Sequence, residues 1–318
     1  MAGHMRCGVC LILTCAIGCA QNPAPQDPVQ AIVRLFDTYR IVMFGEIHEC
    51  RQEYDLLGKL IRAPGFAQRV NDIVVEFGNA RYQPLVDRYI AGEDVSIEQV
   101  EGAWRDTVGA LGPVSPVYGE FYGAVRAVNR TLPTNERLRV LLGDPPIDWS
   151  RVRTREDVGL FLPFRDEFYA SVVRYEVLAK GHRALLIMGG GHFERSAGRP
   201  RDIENELLMA FVKPYVIMAE SNDSVATPSL IETKGTTLEQ TADAYLYLGP
   251  RDRLTVVRNL RSTLEGTAYG KELQRRLTIL FDKAPDFLPS PDAGAEQPAF
   301  PRNPTPPPPL PVLPKPRP

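Results

Sequence analysis

The sequence predicts an α/β fold, a mostly parallel central sheet flanked by helices, with a helical insertion and a disordered Pro-rich C-terminal tail. Three observations carry this. Short apolar runs alternate with segments of helical spacing, IVMF followed by CRQEYDLLGKLIR being the first pair. Several runs are apolar at every residue, the pattern of strands covered on both faces. Two of them, Ile41 to Phe44 and Ala184 to Met188, lead into the same turn, Gly-x-x-His, at Gly45 to His48 and Gly189 to His192. Each His therefore follows the carboxyl end of a strand, the edge where open α/β sheets bind ligands.

Bulk composition narrows the function classes. With 318 residues, 44% hydrophobic and 24% charged, the chain is long enough for one main core. A formal net charge of −2, with Lys and Arg scattered, gives no basic stripe for nucleic acid. Cys7, Cys10, Cys15 and Cys19 lie in the first twenty residues and leave Cys50 alone in the body, so no disulfide framework forms there.

Residues 1–20 read as a signal peptide, with Arg6 as a thin positive region and Val9 to Ile17 as an apolar stretch too short to span a bilayer. Cleavage before Cys19, with lipidation of that cysteine, competes with cleavage after Ala20; Gly18 and the following QNPAPQDP favour the lipoprotein form. Residues 21–30 form a linker, and 31–283 the α/β domain. A weak helix over Ala31 to Tyr39 precedes the strand Ile41 to Phe44, and Cys50, Tyr54, Leu57 and Ile61 mark the helix after the GEIHE turn. Asp72 to Phe77 is a strand with Glu76 at its carboxyl end, and Pro84 opens the next helix. Residues 93–130 form the helical insertion, interrupted by VGALGPVSP, a Gly/Pro-rich break suited to a lid. Leu138 to Leu142 is a strand ending at Asp144, and Asp166 to Lys180 a helix stopped by Gly181. Tyr215 to Ala219 and Ala244 to Leu248 are further strands, and Lys271 to Phe281 the last helix. Past it, residues 284–318 end in PTPPPPLPVLPKPRP, a polyproline or disordered tail.

This order places His48, Glu76, Asp144 and His192 at the carboxyl ends of four strands of one sheet. Two imidazoles and a carboxylate suit Zn, Mn or Fe with open positions, and suit a metal-free acid/base pair equally well. The metal set is His48, Glu76 and His192; the catalytic set adds Glu46, which, like Glu49, flanks His48 as a base or an orienting group. Gly45, Gly189, Gly190 and Gly191 let backbone approach a ligand, with Asp144 nearby. His182, before its strand, sits at the opposite edge in a structural role; Cys50 reads as core, and Trp104, Tyr118 and Tyr122 as core or lid aromatics.

Two Gly-x-x-His turns with an intervening strand-end Glu resemble the superfamily joining Tiki-type metalloproteases, erythromycin esterases and ChaN-type haem-binding lipoproteins, over Ile41 to Ala219. The Tiki pattern implies His48, Glu76 and His192 as the site. The run GEIHECRQEYDLLGKLIR followed by IVVEFG is similar to the esterase pattern, which implies an acidic helix residue, here Glu53. The haem-binding lipoproteins share the GEIH opening and signal but usually carry another His in the following helix, where this chain has Glu53 and Tyr54. The resulting expectation is an envelope hydrolase of an ester or amide bond in a small molecule or peptide. It would use a His/Glu site with or without a divalent metal and be anchored to a membrane through Cys19. The alternative is a haem-binding lipoprotein of iron or haem uptake without catalysis.

Overall fold

A computed structural model describes residues 26–109, 115–193, 203–259, 261–281 and 296–299. The chain is α/β. Its central sheet has seven strands: β1 Ile41–Glu46, β2 Asp72–Asn79, β3 Arg139–Asp144, β4 Ala184–Gly189, β5 Tyr215–Glu220, β6 Ser229–Glu232 and β7 Ala244–Tyr247. They lie in the order β3-β2-β4-β1-β5-β7-β6, all parallel except β6, which runs against β7.

The uninterrupted apolar runs follow from two covered faces. Val42, Phe44, Ile73, Val75, Leu185 and Ile187 enter one core with the helices Arg51–Ile61, Gln83–Ala91 and Pro116–Asn129. Their alternate neighbours Ile41, Met43, Val74, Leu186, Met188 and Val216 enter the other, with the helices Arg165–Val172 and Ile203–Met209. Period-two alternation therefore sends every residue of a central strand into apolar surroundings. Pro84 stands in the first turn of its helix, where its missing N–H breaks no bond. The helix expected to end at Gly181 continues past Val172 as a π turn, Val173–Val177, and a 3₁₀ turn, Leu178–Lys180; Gly181 then closes it at φ 75°.

The insertion holds two single-turn helices, Ile97–Val100 and Gly102–Arg105, before the helix Pro116–Asn129. The centre of the expected lid, 110–114, lies outside the described residues, as do the signal peptide, residues 21–25 of the linker, and residues 284–295 and 300–318 of the tail. The insertion's aromatics are core: Phe77 stacks on Tyr118 with centroids 4.4 Å apart, and Trp104 on Tyr122 at 5.4 Å.

Three strands were not legible in the sequence. β6 (SLIE) is a short edge strand, and β8 Thr255–Val257 pairs antiparallel with β9 Glu296–Pro298, inside the stretch assigned to the tail. Runs of three or four residues carry too little periodicity to register. Ala299 N–H extends the β8–β9 pairing to Leu254 O at 2.8 Å. Among the described residues no helix is long and apolar enough to cross a membrane.

Candidate functional site

The sheet order decides which strand ends meet. From β1 the chain skips one place to β2, and β4 later fills the gap, so the carboxyl ends of β1, β4 and β2 lie side by side. Glu46 pairs in register with Gly189. In β2 the pairing with β3 shifts between Val75 and Asn79, an irregularity that frees Glu76 from the ladder and aims it at the sheet edge.

Glu46 ends β1 and is 5% exposed. One of its oxygens accepts from Tyr54 Oη, on the helix Arg51–Ile61, and Oε1 pairs with His48 Nδ1 at 2.7 Å. This fixes the imidazole with Nε2 turned over β4. Gly189 makes room for it, since a Cβ there would stand 2.5 Å from His48 Nε2 and 3.2 Å from Glu76 Oε2. Its N–H also donates to Glu76 Oε2 at 2.6 Å. Gly45 and Gly190 meet Met218 instead, where added Cβ atoms would each come within 2.7 Å of that side chain.

The other face of the site hangs on Arg165, at the start of its helix and 12% exposed. Its Nη2 donates to Glu76 Oε1 and its Nε to Asp144 Oδ1, both at 2.8 Å. His192 Nε2 lies 3.3 Å from the same Glu76 Oε1, while its Nδ1 pairs with Asp166 Oδ1 at 2.5 Å. Each imidazole is thus backed through Nδ1 by its own carboxylate and brings Nε2 toward one shared carboxylate, Glu76.

Charges in the site are strongly coupled. Desolvation opposes a proton on His48, but the bond to Glu46 and the charges of Glu46, Glu76 and Glu49 outweigh it and push the imidazole up to about 10. His192 likewise rises to about 9 against its desolvation, through Asp166 and Glu76. Burial works against the charge on Glu76, yet Arg165 and the two imidazoles hold its carboxyl well below the ordinary range. Burial and the neighbouring Glu46 raise Glu53 well above its usual value; it is fully buried and accepts the Ile47 N–H at 2.8 Å. At neutral pH the site therefore rests with both imidazoles protonated.

The structure brings His48, Glu76, His192 and Glu46 to one place. It gives Asp144 a different part from ligand binding. That carboxylate is fully buried and is occupied by Arg165, Tyr169 Oη at 2.9 Å and the Val108 N–H, because the helix Arg165–Val172 closes over it. Among the described residues, the group able to hold a metal is Glu46, His48 and Glu76, whose ligand atoms lie within 4.8 Å of one another. His192 stands outside it, engaged with Asp166 and Glu76. The donors fit a small divalent cation in kind, one nitrogen and two carboxylate oxygens. A cation would take the place of a proton on His48.

Sequence reasoning missed Arg165, Asp166 and the link from Tyr54 to Glu46. The only local signal was an Arg-Asp pair opening an amphipathic helix, a pattern common on solvated surfaces. His182 pairs with Asp72 at 2.8 Å at the opposite edge of the sheet. Burial and the nearby Glu53 push the Cys50 thiol up to about 12, as befits a core cysteine.

No family model matches the sequence, and no curated protein matches it. Among solved structures the chain is similar to the type III effector HopBA1, with 13% identity, covering 74% of this chain and 99% of that one at a TM-score of 0.47. It is also similar to ChaN of Campylobacter jejuni, whose structure describes cofacial haem binding, with 13% identity, 69% and 91% coverage and a TM-score of 0.43. A protein from Bacillus cereus gives 9% identity, 86% and 91% coverage and a TM-score of 0.40.

Proposed function

We propose that this site hydrolyses an ester or amide bond by proton transfer between two carboxylate-backed imidazoles. The observation that carries the reading is the convergence of His48 Nε2 and His192 Nε2 on Glu76, with Glu46 and Asp166 behind them. The resemblance of the two Gly-x-x-His turns to the Tiki and esterase patterns supports the same chemistry.

His192, with Nε2 3.3 Å from Glu76 Oε1 and Nδ1 backed by Asp166, is the base, and it loses its proton as pH rises through about 9. Its neutral Nε2 takes a proton from a water beside Glu76 as that water's oxygen attacks the carbonyl carbon. His48, still protonated, donates from Nε2 to the leaving oxygen or nitrogen as the bond to carbon breaks. Glu46 and Asp166 hold the rings in place and stabilise their charged forms. Glu76, fixed by Arg165 and the Gly189 N–H, orients the water. A divalent ion held by Glu46, His48 and Glu76 would supply polarisation of the carbonyl oxygen in place of the proton on His48. Gly18-Cys19 and the polar segment behind it support an envelope location, with a lipid anchor ahead of the domain.

The test is a panel of activated esters and amides assayed from pH 6 to 10, with and without Zn and Mn. Hydrolysis rising toward pH 9, and reduced about 10² to 10⁴-fold in His48→Gln and His192→Gln, is expected. A wild-type protein inert across the panel, or one that takes up haem with strong visible absorption and no turnover, would put a binding protein in place of the hydrolase.

A further inference from the structure

Among the described residues two non-glycines have a positive φ, and one of them is Glu49, at 64°, immediately after His48. It belongs to the turn Ile47 to Cys50, closed by the Cys50 N–H on Ile47 O at 3.1 Å. A left-handed conformation crowds the Cβ of an ordinary residue, and glycine would adopt it freely. Glutamate there is informative only if its side chain is used. Glu49 Oε2 accepts from Arg258 Nε at 2.9 Å, and its side chain is 14% exposed.

Arg258 directly follows β8, and β8 itself is laid along this turn. The Val257 N–H donates to Glu49 O at 3.0 Å, and Val256 forms an antiparallel bridge with Cys50. Gln52 adds three bonds, accepting from the Thr255 N–H at 2.9 Å and donating to Arg253 O at 3.0 Å and to Thr255 Oγ1 at 3.2 Å. The far edge of β8 is covered by β9, and Glu296 lies 3.9 Å from Arg51. On its inner side the turn is held by Glu53 at the Ile47 N–H. The direction in which the chain leaves His48 is therefore set from two sides, one local and one about two hundred residues away in sequence.

We infer that Glu49 and Arg258, which directly follows β8, are positioning residues that hold the His48 turn in its left-handed form and so aim the imidazole over Gly189. This deepens the proposed hydrolytic reading, since it concerns the same imidazole, but it is a statement about geometry and is read without substrate. The substitution Glu49→Gly would keep the turn without the ion pair, whereas Glu49→Ala would keep neither the ion pair nor the backbone freedom.

The experiment uses the full chain in four variants: Arg258→Ala, Arg258→Lys, Glu49→Ala and Glu49→Gly. Three readouts are followed: the nuclear Overhauser contact between the His48 ring and Gly189, amide exchange at Cys50 and Val257, and the urea midpoint. In Arg258→Ala and Glu49→Ala the ring contact should weaken and the two amides exchange about tenfold faster, with global stability near wild type. Arg258→Lys should restore part of the contact, and Glu49→Gly should retain it. Unchanged ring contact and exchange in both alanine variants would overturn the inference, as would failure of Glu49→Gly to differ from Glu49→Ala. Loss of the ring contact in a protein that hydrolyses nothing would leave the positioning role standing and remove the hydrolytic reading alone.

Discussion

Gly189→Ala tests how the site is assembled. The new methyl carbon would lie 2.5 Å from His48 Nε2 and 2.7 Å from Cε1, against about 3.5 Å for an unstrained contact, so something must yield by about 1 Å. β4 is the stiffer partner, paired to β1 at this residue and to β2 just before it, and buried through Met188. The His48 side chain is 55% exposed and can turn outward. It then leaves Glu46, losing a charge-assisted bond of about 1.5 to 3 kcal/mol, much of which water replaces at an exposed ring. Gly189 already has φ −53° and ψ 137°, so alanine brings no backbone strain and stiffens the unfolded chain by about 0.4 to 1 kcal/mol. The two terms nearly offset, and the urea midpoint should move little. Function should not be spared, because a 1 Å misplacement costs about 10²-fold in rate. Nuclear magnetic resonance titration of the His48 ring supplies a readout without substrate: its midpoint should fall from about 10 toward the ordinary imidazole value. If the variant is destabilised by several kcal/mol while His48 still titrates near 10, the strand has yielded and the reasoning is wrong.

Arg165→Met should destabilise the protein by about 3 to 5 kcal/mol in urea denaturation, because Glu76 and the fully buried Asp144 lose their shared cation; a loss under about 1 kcal/mol would count against that pairing. The raised value of His192 has a definite sign. Its folded value, about 9, exceeds the unfolded 6.5, so its stabilising contribution is complete below about pH 6.5 and disappears as pH rises through 9. At up to about 3 kcal/mol, it should make the wild type lose more stability between pH 6 and 9.5 than His192→Asn, by parallel urea curves. Cys19→Ser should release the protein from membranes, and a single mature N-terminus at Gln21 without acyl mass would rule lipidation out.

The strands that build the centre, β1 to β5 and β7, were legible because a doubly covered strand needs apolar side chains in succession. The helices around them were legible through their spacing, and Pro84 and Gly181 through backbone chemistry that acts at one residue. The candidate site was legible in part for the same reason. A residue placed after an apolar run stands at a strand's carboxyl end whatever the sheet order, so His48, Glu76 and His192 could be read from position alone. The partners could not. Arg165 reaches Glu76 across 89 residues and Arg258 reaches Glu49 across 209, and neither contact leaves a local periodicity. Asp144, at a strand end like the others, is expected only near the site, and which groups hold it there was not legible until the helix Arg165–Val172 closed over it. Sequence determines what a residue can do within a few neighbours, through sterics and burial period. Which charges face one another depends on β4 entering between β1 and β2, and that choice is made by packing two whole faces at once.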